Sequence, residues 1–300
     1  MKMIKDWPVH VLYIILMIMG LYPVNGQTDN GIVFACMVTM AEILYLLRKM
    51  GGGKSGGNSD LMFFFYAVLI VWEGVTDWFL VASPILLPSP RAVFQVFIKQ
   101  RRLMIRGVYS SFQLLLAGFG AAFFLGVPLG IISGRVRRIR EFLLPAAKIA
   151  CCIPPIIYTP YVVAVMPSFR SASIFVIVMG LFWPVFMNVV LMVSSMPQTM
   201  EDTVRSMRVG KWDLFAEIYL PYVIPGVVKS LHISLSTSFM LLTMAEMMGA
   251  SSGLGYFIKN FADYGNYTCV LAGIILTAAV ILLLNLFLDM LEKRCIRWKI

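Results

Sequence analysis

With 300 residues, 60% hydrophobic content and 13% charged residues, the chain lies far outside soluble globular composition, in which about a quarter of residues are charged. Its mean hydropathy of +0.84 points to an integral membrane protein. The net charge of +10 does not call for a nucleic-acid partner, because most Lys and Arg sit in short segments beside apolar runs, where they set membrane orientation.

A membrane helix needs about 20 mostly apolar residues. Such runs recur at 10–25, 31–47, 61–82, 108–133, 143–166, 172–194, 230–249 and 268–290. They are continuous blocks rather than the alternating segments of a barrel, so the predicted class is an all-α integral membrane protein. The first run reads either as a retained span or as a signal peptide cleaved after Gly26, with Lys2 and Lys5 ahead of its apolar core. With the second run it forms an N-terminal pair over 1–50. The stretch GGGKSGGNSD, residues 51–60, predicts a flexible linker that isolates this pair from a six-span unit over 61–300. Its GGGKS is no phosphate loop, since Arg48 stands where the first glycine is required and no strand precedes it.

The third run carries Glu73 and Asp77 four residues apart on one helical face, a spacing that suits interfacial or paired groups better than a proton relay. Residues 83–107 hold Arg91, Lys99, Arg101, Arg102 and Arg106, and the apolar Val93, Phe94, Val96 and Phe97 at helical spacing predict an amphipathic helix lying along the interface. Basic segments at 1–8, 48–60, 134–142, 201–221 and in the tail from Lys293 fall on alternate loops, which predicts a threading with both termini inside. The 83–107 segment is then placed outside, against the charge rule.

Within the later spans Pro128, Pro154, Pro155, Pro160 and Pro184 each remove a backbone donor, and Lys148, Thr159, Asn188 and Glu246 are polar at membrane depth. Such groups face a bundle interior or an aqueous cavity, so Pro154, Pro155, Thr159, Asn188 and Glu246 are the candidates for a translocation pathway; for Glu246, near the outer end of its span, contact with an external partner or helix anchoring competes evenly with a gating role. The cysteines Cys36, Cys151, Cys152, Cys269 and Cys295 lack C-x-x-C spacing and read as packing residues, not metal ligands. His10 and His232 are the only histidines, and neither lies near a Ser or Cys motif. No catalytic residue, cofactor site or metal site is predicted.

One stretch is strongly polar: EDTVRSMRVGKWDLFAEIYLP, residues 201–221. On a helix it is amphipathic but too polar to cross a bilayer, which predicts a cytoplasmic helical knob ended by Pro221, within a loop over 196–228. Its pattern resembles the coupling loop of permeases of binding-protein-dependent ABC importers, E-A-A, three residues, Gly, nine residues, I-x-L-P. Asp202, Thr203 and Val204 take the E-A-A places, Arg208 the glycine place, and Ile218, Leu220 and Pro221 complete the spacing. A second stretch, AEMMGASSGLGYFI at 245–258, is similar to the signature of the nitrate/sulfonate/taurine-type permeases. LLPSPRAVF (86–94), GVPLGIISG (126–134), CIPPI (152–156) and FWPVFMN (182–188) resemble the same family in order and spacing.

The resemblance implies a six-helix type I importer permease core over 61–300, preceded by two extra N-terminal transmembrane helices, in the inner (cytoplasmic) membrane. It implies a homodimer or a related second permease, two cytoplasmic ABC ATPases that bind ATP and Mg, and an extracytoplasmic substrate-binding protein. The solute class it implies is nitrate, sulfonate or taurine, bicarbonate, or a vitamin precursor. ATPase coupling is then expected at Asp202, Thr203, Val204, Arg205, Arg208, Gly210, Leu214, Phe215, Ile218, Leu220 and Pro221, with Leu214 and Phe215 as apolar anchors. Because positive φ is cheap only for glycine, Gly210 rather than Arg208 is expected to reverse the chain. A self-contained channel or ion-driven carrier is the competing class, and it would lack the coupling loop.

Overall fold

In lipid a backbone amide has no water to bond, so apolar runs close their hydrogen bonds within helices. The computed structural model describes residues 7–22, 31–50, 55–79, 83–197, 199–200 and 210–295, and every regular element among them is helical. In chain order these are α1 (Trp7–Leu21), α2 (Gly31–Met50), α3 (Ser55–Glu73), which runs on as a π turn over Gly74–Trp78, α4 (Pro90–Lys99), α5 (Arg101–Arg135), α6 (Arg137–Cys152), α7 (Pro155–Val165), α8 (Phe169–Ser194), α9 (Leu220–Gly249), α10 (Leu254–Asp263) and α11 (Tyr267–Cys295). Five helical stretches are long and apolar enough to span a membrane, or six if α6 and α7 count as one span bent by 91°. That bend falls at Ile153 and Pro154, where proline removes the donor that would continue the helix.

Two compact units emerge, one of residues 1–104 with 258–275 and the other of 105–257 with 276–300. In the first, Val9 and Leu16 of α1, Phe34, Val38 and Tyr45 of α2 and Tyr66 and Leu69 of α3 form one buried cluster, against which Phe94 of α4 packs. Glu42 sits between His10 Nδ1 at 2.5 Å and the Tyr66 hydroxyl, which donates at 2.8 Å. Arg91 is buried; its Nε donates to Glu73 Oε1 at 2.5 Å, it lies 3.6 Å from Asp77 Oδ2, and its Nη2 donates to the Met19 carbonyl. The 73/77 pair is thus an ion-pairing device.

These contacts correct three expectations. Residues 55–60 are helical, so the sequence from Ser55 belongs to α3 and not to a flexible linker, while 51–54 lie outside the described residues. The N-terminal helices are not isolated, since α1 and α2 share a core and buried polar bonds with α3 and α4. At 15 residues α1 is also short for a full span, and α2 is apolar only over Gly31–Leu47. Helix α4 is amphipathic as expected, but its buried Val93 and Val96 meet protein rather than the interface. Its start is set by Ser89, whose Oγ accepts from Ala92 N, with Pro90 in the first turn where no donor is needed.

In the second unit α5 and α8 approach closely along a stripe of small residues. A Cβ on Gly126 would lie 3.1 Å from Val185 Cγ1, one on Gly130 2.7 Å from Val189 Cβ, and one on Gly134 2.6 Å from Val193 Cβ. The four-residue spacing on both helices keeps glycine opposite valine for two turns, and small residues are what let membrane helices pack tightly. On one side of this seam Leu114, Leu115 and Ala122 of α5, Ile177 and Leu181 of α8 and Leu235, Phe239 and Leu242 of α9 form a core, with Leu276, Val280, Ile281, Leu284 and Leu288 of α11 packed on it.

Two outcomes are expected from these contacts. Gly130→Val should abolish the α5–α8 seam and leave little folded chain, whereas Gly120→Val, at a glycine with nothing within 4 Å of the added carbon, should not; yields of monodisperse protein in detergent measure both. Arg91→Met leaves two buried carboxylates without their cation, a loss of about 3–5 kcal/mol, read as a large fall in thermal melting temperature.

Candidate functional site

Two parts of the second unit carry the motifs. The first is the turn between α9 and α10, built from the 245–258 signature. Glu246, in the last turn of α9, is 1% exposed, and a carboxylate at that depth is tolerated only if it is hydrogen-bonded. Its Oε1 accepts from Ser111 Oγ of α5 at 2.6 Å and its Oε2 accepts from Gly255 N at 2.8 Å. Ser111 Oγ in turn accepts from Leu254 N at 2.9 Å. Two orphan donors at the N-terminus of α10 are satisfied in this way, and the turn is fastened to α5.

The glycines of the signature make this latch possible. Gly253 has φ +136, and a Cβ there would lie 2.5 Å from Glu246 Oε2. A Cβ on Gly255 would lie 2.8 Å from Glu246 Cβ and would also overlap the Thr243 carbonyl oxygen. Ser110 and Ser252 add a hydroxyl pair at 2.9 Å. Both oxygens of Glu246 therefore accept hydrogen bonds inside the protein, and of the roles expected for it this is the geometry of helix anchoring: its carboxylate holds a turn.

The remaining pathway candidates gather only in part. Pro154 and Pro155 form the α6–α7 bend, Pro154 exposed and Pro155 beginning α7. Thr159 is 1% exposed, and its hydroxyl donates to the Pro155 carbonyl at 2.7 Å, so it faces packed protein and presents no polar group to a cavity. Asn188 is half-buried on α8, and Lys148 is exposed on α6.

The second part is the polar stretch before α9. Asp202, Thr203, Val204, Arg205 and Arg208 lie outside the described residues. From Lys211 the chain is helical, passing through a π segment over Leu214–Tyr219 directly into α9. Pro221 therefore does not end a knob helix. It stands in the first turn of α9, and the widened turn ahead of it, closed by Leu220 N donating to the Phe215 carbonyl, gives room to a ring that would clash with a carbonyl four residues back. Gly210 stands just ahead of this helical run, its carbonyl accepting from Leu214 N at 2.9 Å, and it is not among the described glycines with positive φ, Gly253 and Gly265; the chain before it, on which the expected reversal depends, lies outside the described residues.

Leu214 is buried with Tyr219, Val223, Val227, Met196, Val189, Val193 and Ile131, so it anchors the segment to its own bundle and is not free to anchor a partner. Phe215, Ile218 and Leu220 pack partly on the same cluster. Arg135 places its guanidinium 5.8 Å from the centroid of the Tyr219 ring, within the range of a cation–π contact. Trp212, which the coupling-loop pattern does not include, is 76% exposed and stacked on Phe215 at 5.8 Å, and its signal in the sequence is an aromatic inside a charged run.

The latch predicts an order of damage. Gly255→Ala should be the most harmful, because backbone at Thr243 must move. Ser111→Ala removes a donor to Glu246 and an acceptor for Leu254, a loss of about 1–3 kcal/mol, and Glu246→Gln sets an amide donor against one of two N–H or O–H donors at similar cost. Thermal unfolding in detergent, with proteolysis of the 250–255 turn, ranks the three.

The chain is 25% identical over 258 residues to the putative aliphatic sulfonates transport permease protein SsuC of Bacillus subtilis, covering 84% of this chain and 92% of that protein. It is 28% identical over 239 residues to the taurine transport system permease protein TauC of Escherichia coli, covering 77% and 86%. The nitrate import permease protein NrtB of Leptolyngbya laminosa is 28% identical over 189 residues, covering 63% and 68%. Among solved structures, a chain of the MetNI methionine ABC transporter in an inward-facing conformation has the same fold, with a TM-score of 0.56 at 21% identity over 65% of this chain and 97% of that one. Residues 126–297, more than half of the sequence, match the binding-protein-dependent transport system inner membrane component, and the chain belongs to that family of multi-pass transport permeases.

Proposed function

We propose that this permease forms the path for a small solute bearing an oxyanion, delivered by a binding protein, and that a separate cytoplasmic ATPase drives it through the segment ahead of α9. The solute class rests on relatives named for aliphatic sulfonates, taurine, nitrate and bicarbonate, whose common chemical feature is a small oxyanionic group. The family description supports dependence on a binding protein and residence in an inner membrane. A second permease copy and paired ATPases complete the assembly, with ATP and Mg held by the ATPases.

The observation that carries the coupling reading is Trp212. An exposed indole stacked on Phe215, above a base of buried Leu214 and Tyr219, is a rigid apolar knob, suited to a hydrophobic groove on a partner. Rigidity matters because a knob that is continuous with α9 passes a push or pull directly to the helix that carries the Glu246 latch.

The test separates docking from folding. Trp212→Ala should leave the melting temperature of the permease unchanged while weakening ATPase co-purification by about 2 kcal/mol, roughly 30-fold in affinity. Leu214→Ala should lower permease stability by about 2–5 kcal/mol. Undiminished ATPase recovery with Trp212→Ala would sink the coupling role. In proteoliposomes holding all subunits, ATP-dependent uptake of taurine, nitrate or bicarbonate tests the solute class, and uptake without the ATPase would favour a self-contained carrier.

A further inference from the structure

His232 of α9 and three residues of α11 meet far from the Glu246 turn. Asn285, Asp289 and Glu292 lie at i, i+4 and i+7 along α11, a spacing that sets them on one helical face. His232 Nδ1 is 3.2 Å from Asn285 Oδ1. Because that amide oxygen can only accept, the bond requires the ring proton on Nδ1. The neutral ring then presents the bare lone pair of Nε2 to the other side. There it meets Asp289 Oδ1 at 3.3 Å and Glu292 Oε2 at 3.4 Å.

With the ring neutral in this tautomer, three electron-pair donors face one point, and either a second proton on Nε2 or a metal cation relieves their repulsion. The distances are informative: ligands at about 2.0–2.1 Å from a tetrahedral zinc ion stand roughly 3.3–3.4 Å apart, the two separations seen here. The three ligating atoms all lie within 4.8 Å of one another. The bond from Nδ1 to a side-chain carbonyl is also the outer-shell contact that fixes the tautomer of metal-bound histidines. With side-chain exposures of 28% for His232, 51% for Asp289 and 31% for Glu292, the group lies at the surface of the chain rather than sealed in its core.

We propose that His232, Asp289 and Glu292 form a binding site for a divalent transition cation of the zinc class, with Asn285 orienting the imidazole. One imidazole with two carboxylates selects against magnesium and calcium, which prefer all-oxygen sites, and leaves a fourth position for water. The bound ion ties α9 to α11 at a position 14 residues before Glu246 on α9, about 21 Å along the helix axis. The site is independent of which solute the permease carries. It was not visible in the sequence because its ligands come from two segments more than 50 residues apart.

The untagged full-length chain, stripped with chelator and held in lipid nanodiscs, is titrated with Co²⁺ and then with Zn²⁺. The expected result is the visible ligand-field absorption of four-coordinate cobalt, saturating at one ion per chain and lost as zinc displaces it. His232→Gln should abolish that spectrum. Asn285→Ala should keep it but weaken cobalt binding about 10–100-fold. Asp289→Asn, at a half-exposed position, should also remove the tetrahedral spectrum, and it keeps the test available if the His232→Gln chain fails to fold. A wild-type chain that gives no such spectrum, or cobalt binding unaltered in His232→Gln and Asp289→Asn, would overturn the proposal.

Discussion

The close approach of α5 to α8 is the constraint on which the second unit depends. Lipid tails are as apolar as leucine, so helices in a bilayer gain little from burying apolar surface against each other and must gain it from dense packing. Gly126, Gly130 and Gly134 supply that density by leaving room for Val185, Val189 and Val193. Everything else that α5 does follows from being held so near the bundle centre. Ser111 fastens the α9–α10 turn toward one end, and Ile131 and Arg135 support the segment ahead of α9 toward the other.

Buried polar groups act throughout as fasteners between helices. Arg91 joins α4 to the end of α3 and to the backbone of α1, Glu42 joins α2 to α1 and α3, and Glu246 joins α9 to α5 and α10. Each lies in a low-dielectric setting where an unpaired group is costly and a paired one fixes geometry. Several intramembrane charges thereby find their hydrogen-bond and ion partners on neighbouring helices. Among these groups Glu73 keeps one buried oxygen, Oε2, without a hydrogen-bond partner.

For a transport permease the consequence is mechanical. A helical run from Lys211 through a π turn into α9, with its apolar residues sunk in the core, makes the part of the polar segment from Lys211 onward an extension of α9 and not a loop hung from it. Under the proposed coupling, a movement imposed at the exposed indole of Trp212 would reach the far end of α9 along one unbroken helical run, although Pro221 and Pro225 each lack a backbone donor. There it meets a turn whose glycines allow no side chain between Glu246 and the backbone of residues 253–255.

Much was legible in the sequence because it depended on composition and local spacing. Continuous apolar runs determined that the chain is all-helical and membrane-spanning, the Pro154–Pro155 step marked the broken span, and the spacing of Glu73 and Asp77 marked paired groups. Family identity was legible too, because the 245–258 and 126–134 motifs keep the glycines that close packing requires. What only the tertiary structure decided was which partner each residue meets. Whether Glu246 faces a channel or a serine, whether Leu214 points to a partner or to Val223, and whether His232 has ligands beside it on α11 are settled by helices distant in sequence. Even Ser55–Asp60, rich in residues that favour disorder, is held in α3, where Ser59 bonds Tyr45 of α2. Local propensity is worth tenths of a kcal/mol to about 1 kcal/mol per residue, and a buried interhelical bond or a packed seam outweighs it.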